Sequence, residues 1–161
     1  MATPTYELIA STTTVAPVLS ITVSSIPSTY KDLVITLDVA ATQYDSYLGL
    51  RFNSDTGTNY NYVGVGNGTS ASGAQDTNQI QIYSHLTTTK GLYIINVNDY
   101  SATNKHKYTI SQGGSSNSTY RTGYGAGRWA STSAINSVTL FGGQGLYFAT
   151  GAKMQIFGIE G

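Results

Sequence analysis

Hydrophobic and polar residues alternate along this chain in short runs. The clearest run is Asp32-Leu33-Val34-Ile35-Thr36-Leu37-Asp38-Val39, in which Leu33, Ile35, Leu37 and Val39 project to one side. A period of two over eight residues predicts a half-buried β-strand. The same pattern predicts strands at 6–11, 18–23, 47–52, 60–65, 79–83, 92–97, 105–111, 135–141 and 153–159, with a shorter one around 146–148. Leu19, Ile21 and Val23 share a face in one of them, and His106, Tyr108 and Ile110 in another. No window carries the i, i+3, i+4, i+7 apolar spacing of a helix. Pro4, Pro17 and Pro27 fall beside strand starts or in turns, where a missing amide donor does little harm. Short strands bounded by polar turns predict an all-β, single-domain antiparallel β-sandwich, with the jelly roll as its form. The domain is expected to occupy 1–161 behind a short N-terminal arm of about 1–5.

Two stretches read as long loops, 66–76 and 112–129. Loops on a rigid scaffold are where binding residues tend to lie. The second sets Tyr120, Arg121, Tyr124, Arg128 and Trp129 among glycines. Tyrosine, tryptophan and arginine are the usual anchors of protein interfaces. These five are the candidate partner contacts, together with the N-terminal arm. Tyr120, Tyr124 and Trp129 would equally serve as a platform for stacking sugar rings, and the pattern alone does not separate the two uses.

Composition sharpens this picture. Charged residues are only 10% of the 161 positions, eight acidic and eight basic, for a formal net charge of zero. An average soluble domain carries about 25%. With little electrostatic repulsion between copies, association is favoured, and 13 tyrosines supply amphipathic rings suited to contact surfaces. An oligomer or assembly component is therefore expected. Nucleic acid is not an expected partner, because neutralising phosphates requires a basic surface. The only close basic groupings are Lys105/Lys107 and Arg121/Arg128, and the lysine pair reads as the solvated face of a strand. There is no cysteine, hence no disulfide framework and no thiolate metal site, which suits folding in a reducing cytoplasm. The N-terminal residues lack a basic leader and an apolar run, so no signal peptide is expected. No stretch approaches the ~18 apolar residues of a membrane span, and no membrane partner is expected.

Candidate chemistry is sparse. The histidines are His85 and His106, and no Gly-x-Ser-x-Gly elbow surrounds any serine. The carboxylates Glu7, Asp32, Asp38, Asp45, Asp55, Asp76, Asp99 and Glu160 are scattered, with no pair singled out as acid and base. Asn53, Asp55, Gly57 and Asn59 have the alternate oxygen spacing of a calcium loop but lack its closing glutamate, and the same residues are good turn formers. The glycines at 123, 125 and 127 are followed by no Gly-Lys-Ser/Thr and no helix, so they do not form a phosphate loop. No catalytic residue, metal or cofactor is predicted.

Several segments, in order along the chain, resemble a small virion-protein family of tailed phages, including marine cyanophages. They are Ile26-Pro27-Ser28-Thr29-Tyr30-Lys31-Asp32-Leu33, then Leu50-Arg51-Phe52-Asn53-Ser54-Asp55-Thr56-Gly57-Thr58-Asn59-Tyr60, then the segments 129–140 and 148–159. The resemblance implies a jelly-roll sandwich without enzymatic activity, commonly trimeric. It occurs as a capsid decoration (cement) protein or as a domain of tail and fibre proteins. It transfers no catalytic motif. It implies a homotrimer on the capsid exterior of the virion, made in the host cytoplasm, with the major capsid protein as partner. The alternative is a tail fibre or receptor-binding module that recognises host surface glycans. The absence of shaft-like sequence favours decoration.

Overall fold

The computed structural model describes residues 5–43, 46–66, 71–115 and 121–161, apart from the side chains of residues 46, 83–85 and 121. It is an all-β, jelly-roll-like sandwich of two antiparallel sheets. Among the described residues the strands are β1 (Tyr6–Thr13), β2 (Ser20–Ser24), β3 (Asp32–Val39), β4 (Ser46–Phe52), β5 (Tyr60–Gly66), β6 (Ser72–Thr77), β7 (Ile80–Leu86), β8 (Gly91–Asn98), β9 (Lys107–Ser115), β10 (Arg121–Trp129), β11 (Ser137–Gly142) and β12 (Lys153–Ile159). A 3-10 turn, Gly143–Gly145, interrupts them. The larger sheet has the order β1-β12-β3-β8-β9-β10-β5-β6 and the smaller one β2-β11-β4-β7. Apart from the hairpins β5-β6 and β8-β9-β10, each connection carries the chain from one sheet to the other. That repeated crossing wraps both sheets around one core.

The period-two pattern explains where the core sits. Leu33, Ile35, Leu37 and Val39 of β3 are all buried, as predicted, beside Tyr93, Ile95 and Val97 of β8 and Met154 and Ile156 of β12. From the smaller sheet, Leu48, Leu50 and Phe52 of β4, Ile80 and Ile82 of β7, and Val138 and Leu140 of β11 belong to the same buried cluster. Each such side chain contributes roughly 1.5–3 kcal/mol when fully buried. The bounds of β3 and β12 coincide with those predicted.

Four expectations need correction. The stretch 112–129 is not one long loop: its described parts are the end of β9 and the whole of β10, paired in register from Arg121↔Ser115 to Trp129↔Lys107. The stretch 66–76 likewise contains β6, which pairs with β5. No strand forms around 146–148. Phe148 instead makes isolated bridges to Val18 and Ala41 and is fully buried. Finally, Lys107 is not on a solvated face. It is fully buried, and its ammonium donates to the carbonyls of Lys105 (3.0 Å) and Thr132 (3.3 Å). Burial, with the neighbouring Lys105 charge, pushes its pKa down, against a smaller opposing pull from Asp99.

The inner face of the β9-β10 hairpin explains the missed strand. On β10 the residues directed toward the smaller sheet are Gly123, Gly125, Gly127 and Trp129, and on β9 they are Lys107, Thr109 and Ser111. Strand β7 packs across this area. A Cβ on Gly127 would lie 2.5 Å from Cγ2 of Ile80. Glycine here brings the two sheets close, and it removes the apolar alternation by which a strand is usually recognised.

Candidate interaction surface

Strand β10 carries four of the five predicted contact residues, and its pleat divides them. Tyr124 and Arg128 point outward, away from the smaller sheet, with Tyr124 66% exposed. Arg121 opens the strand, while its side chain and all of Tyr120 lie outside the described residues. Trp129 is corrected: it is only 3% exposed and belongs to the core, not to a surface platform. Its ring stacks on Tyr60 (centroids 6.3 Å apart, 17° between planes) and sits tilted against Phe52 at 5.7 Å.

Trp129 also closes the turn that resembled a calcium loop. Its indole N–H donates to Oδ2 of Asp55 at 2.7 Å. The same carboxylate accepts from the Gly57 amide (2.8 Å) and the Asn59 side chain (2.9 Å). Desolvation alone would raise the Asp55 pKa, but the bonds from Trp129, Asn59 and Gly57 together hold it below its ordinary value. Both Asp55 oxygens are thus engaged, and Asn53 bonds to the backbone of Ala134, Asn136 and Ser137. The Tyr60 hydroxyl joins Phe52 and Asp55 backbone atoms, and burial pushes its pKa up to about 12. The segment is a structural latch. No group of three or more His, Cys, Asp or Glu side chains is placed to hold a metal among the described residues.

The outward face of the larger sheet is where exposed apolar side chains collect. Cross-strand partners project to the same face, so the registers can be read as rows. One row runs Leu8-Phe157-Val34-Asn96-Ile110-Ala126-Val63, through seven strands. The next runs Ser11-Gln155-Thr36-Ile94-Gln112-Tyr124-Val65. Neither contains a charged residue. Leu8, Val63, Ile110 and Tyr124 are each more than half exposed. Charges flank this band: Asp38 and Lys153 lie in the row on one side, Asp32 and Arg128 in the row on the other. Exposed apolar side chains set among uncharged polar ones, with charges to either side, suit a protein contact surface. Sequence patterning had singled out Tyr124 and Arg128 but not Leu8, Val63 or Ile110.

The outward face of the smaller sheet is different. Thr22 and Thr139 share a hydroxyl hydrogen bond of 2.9 Å. Phe141 there lies over Gly49, whose missing side chain makes room for the ring, and beneath the Arg51 guanidinium, 4.5 Å from the ring centre. Arg51 also donates to the carbonyl of Asn78 at 2.8 Å. Such contacts satisfy a water-facing surface from within.

At one end of the larger sheet, Tyr108, Arg128 and Asn61 are direct cross-strand neighbours. They line a cleft of about 540 Å³ with Val63, Ala126 and Gln75. His106 precedes β9, half-buried, in line with Tyr108 and Ile110. No helix among the described residues is long and apolar enough to cross a membrane. Compared with protein-family models and with curated proteins, the chain matches none.

Proposed function

We propose that this chain is a non-enzymatic capsid decoration protein of a tailed phage, which trimerises and clamps adjacent major capsid subunits on the outside of the particle. The observation that carries the docking part is the uncharged band on the larger sheet, with Leu8, Ile110, Val63 and Tyr124 left open to solvent. The capsid part is supported by the resemblance of segments 26–33, 50–60, 129–140 and 148–159 to small phage virion proteins. Exposed apolar surface on a chain with so few charges is removed from water by association, at roughly 25 cal/mol per Å² before the costs of ordering. A module that binds the assembled lattice, and not the separated subunits, stabilises the assembled state by mass action.

The test is quantitative mass spectrometry of purified particles, comparing copies of this chain with copies of the major capsid protein, alongside native mass spectrometry of the free chain. A copy number close to that of the capsid protein, and a trimer in solution, are expected. A few copies per particle would overturn lattice-wide decoration in favour of a tail or receptor-binding module.

A further inference from the structure

The cleft at Arg128 contains a feature that the fold itself does not use. Nε of Arg128 is buried without a hydrogen-bond partner, and the guanidinium forms no ion pair among the described residues. An unpaired, partly desolvated cation is costly, and an anion arriving at the Nη side of the guanidinium lowers that cost. The lining holds no carboxylate to supply it from within. Around this cation, register places Tyr108 on one side, 54% exposed, and Asn61 on the other. The Asn61 carbonyl oxygen accepts from the Asp76 amide at 3.2 Å, which leaves its NH₂ as the group available to donate. Gln75, in β6, adds a second amide, and Val63 with Ala126 forms an apolar wall.

From this arrangement we infer that the cleft binds a carboxylate-bearing sugar, with the carboxylate on Arg128, the ring face on Tyr108 and hydroxyls on Asn61 and Gln75. Three observations narrow the class. A single cation without an acidic counterpart suits a monoanion better than a phosphate dianion. A volume of about 540 Å³ suits a small ring molecule and far exceeds what one carboxylate side chain fills. An aromatic face beside planar amides and a guanidinium fork offers both the apolar and the bidentate polar contacts that such a ring presents. The inference concerns the isolated chain: Val63 and Ala126 also belong to the band proposed to dock, so capsid attachment and sugar binding would compete for that wall.

The experiment is a ¹⁵N-HSQC titration of the full chain with methyl β-glucuronide, with methyl β-glucoside and sodium acetate as separate arms. Saturable shifts confined to the neighbourhoods of Asn61, Gln75, Tyr108 and Arg128 are expected with the glucuronide, with a Kd of ~1 mM. The glucoside and acetate should bind at least roughly tenfold more weakly. Arg128→Gln should bring the glucuronide down to the level of the glucoside, and Tyr108→Ala should weaken both sugars. Arg128→Lys, which keeps the charge but not the fork, should fall between, and thermal melts of each variant separate lost binding from lost folding. No saturable shift up to ~50 mM, far weaker than the expected affinity, would overturn the inference. So would equal binding of acetate, which marks a bare anion site, or an unaltered titration in folded Arg128→Gln. Loss of particle attachment in Arg128→Gln without any glucuronide binding would also overturn it and assign Arg128 to a protein contact.

Discussion

The two faces of strand β10 make the most informative comparison in the molecule. Residues 123, 125, 127 and 129 face inward and are three glycines and a tryptophan. Residues 122, 124, 126 and 128 face outward and are Thr, Tyr, Ala and Arg. One face is smooth, so that β7 can approach, and ends in a ring locked among Tyr60, Phe52 and Asp55. The other presents an exposed tyrosine and a half-buried arginine whose Nε has no hydrogen-bond partner. The inner residues thus set stability, while the proposed docking rests on the outer ones. An aromatic residue in a glycine-rich segment is therefore not by itself an interface signal, because its parity along the strand decides which job it has.

Substitutions can test that division, the largest effect first. Trp129→Ala empties a packed site and removes one of three hydrogen bonds to the Asp55 carboxylate, so thermal or denaturant unfolding should show a loss of about 4 kcal/mol. A loss under about 1 kcal/mol, the scale of a surface change, would mean that Trp129 is not the anchor described. Ile110→Asp, on the outward face beside Ala126, should leave the melting temperature nearly unchanged. It should nonetheless weaken association with particles by about 3 kcal/mol, the penalty of burying an unpaired charge. Thr139→Asp, on the outward face of the smaller sheet, should leave that association unaltered. If the two behave alike in co-sedimentation, the faces are not distinguished by function. Gly127→Ala drives a methyl into Ile80 and should destabilise by about 2 kcal/mol, whereas Ala126→Gly next to it should be milder, since it lacks that clash.

The smallest effect is one of pH. The Asp55 pKa is lower in the folded protein than its ordinary value of 3.8, so the unfolded chain binds the proton more readily. The stability this group adds is present above the unfolded value and is lost as pH falls through the folded one. Melts of the wild type and Asp55→Asn should differ at pH 6 and converge in strong acid. A gap that stays constant with pH would show that the carboxylate charge plays no part.

How much of this was legible in the sequence follows from the same chemistry. Strands β3 and β12 stood out because their inward positions are Leu, Ile, Val and Met, where period two and burial coincide. β10 was hidden because its inward positions are glycines, although glycine at every second position from 123 to 127 is itself a period-two signal. β6, Ser-Gly-Ala-Gln-Asp-Thr, has no large apolar side chain and forms as an edge strand on β5. Lys107 is not legible as a core residue because a lysine's ammonium ordinarily takes water as its partner, whereas here two backbone carbonyls serve it. The uncharged band could not be read at all. It depends on registers between strands far apart in sequence, such as Leu8↔Phe157 and Val63↔Ala126. Tyr124 and Arg128 were visible by type, but their company was not.

The position of β12 sets the timing of the chain's birth. It lies between β1 and β3, and β2 depends on β11 in the same way. Strands β1, β2 and β3 therefore leave a ribosome before some or all of their partners. Until residues 137–159 follow, β1 and β2 have nothing to pair with and β3 lacks one neighbour, so aggregation-prone edges stay open throughout synthesis. A nascent chain halted before Lys153 would leave β1 with no strand beside it at all.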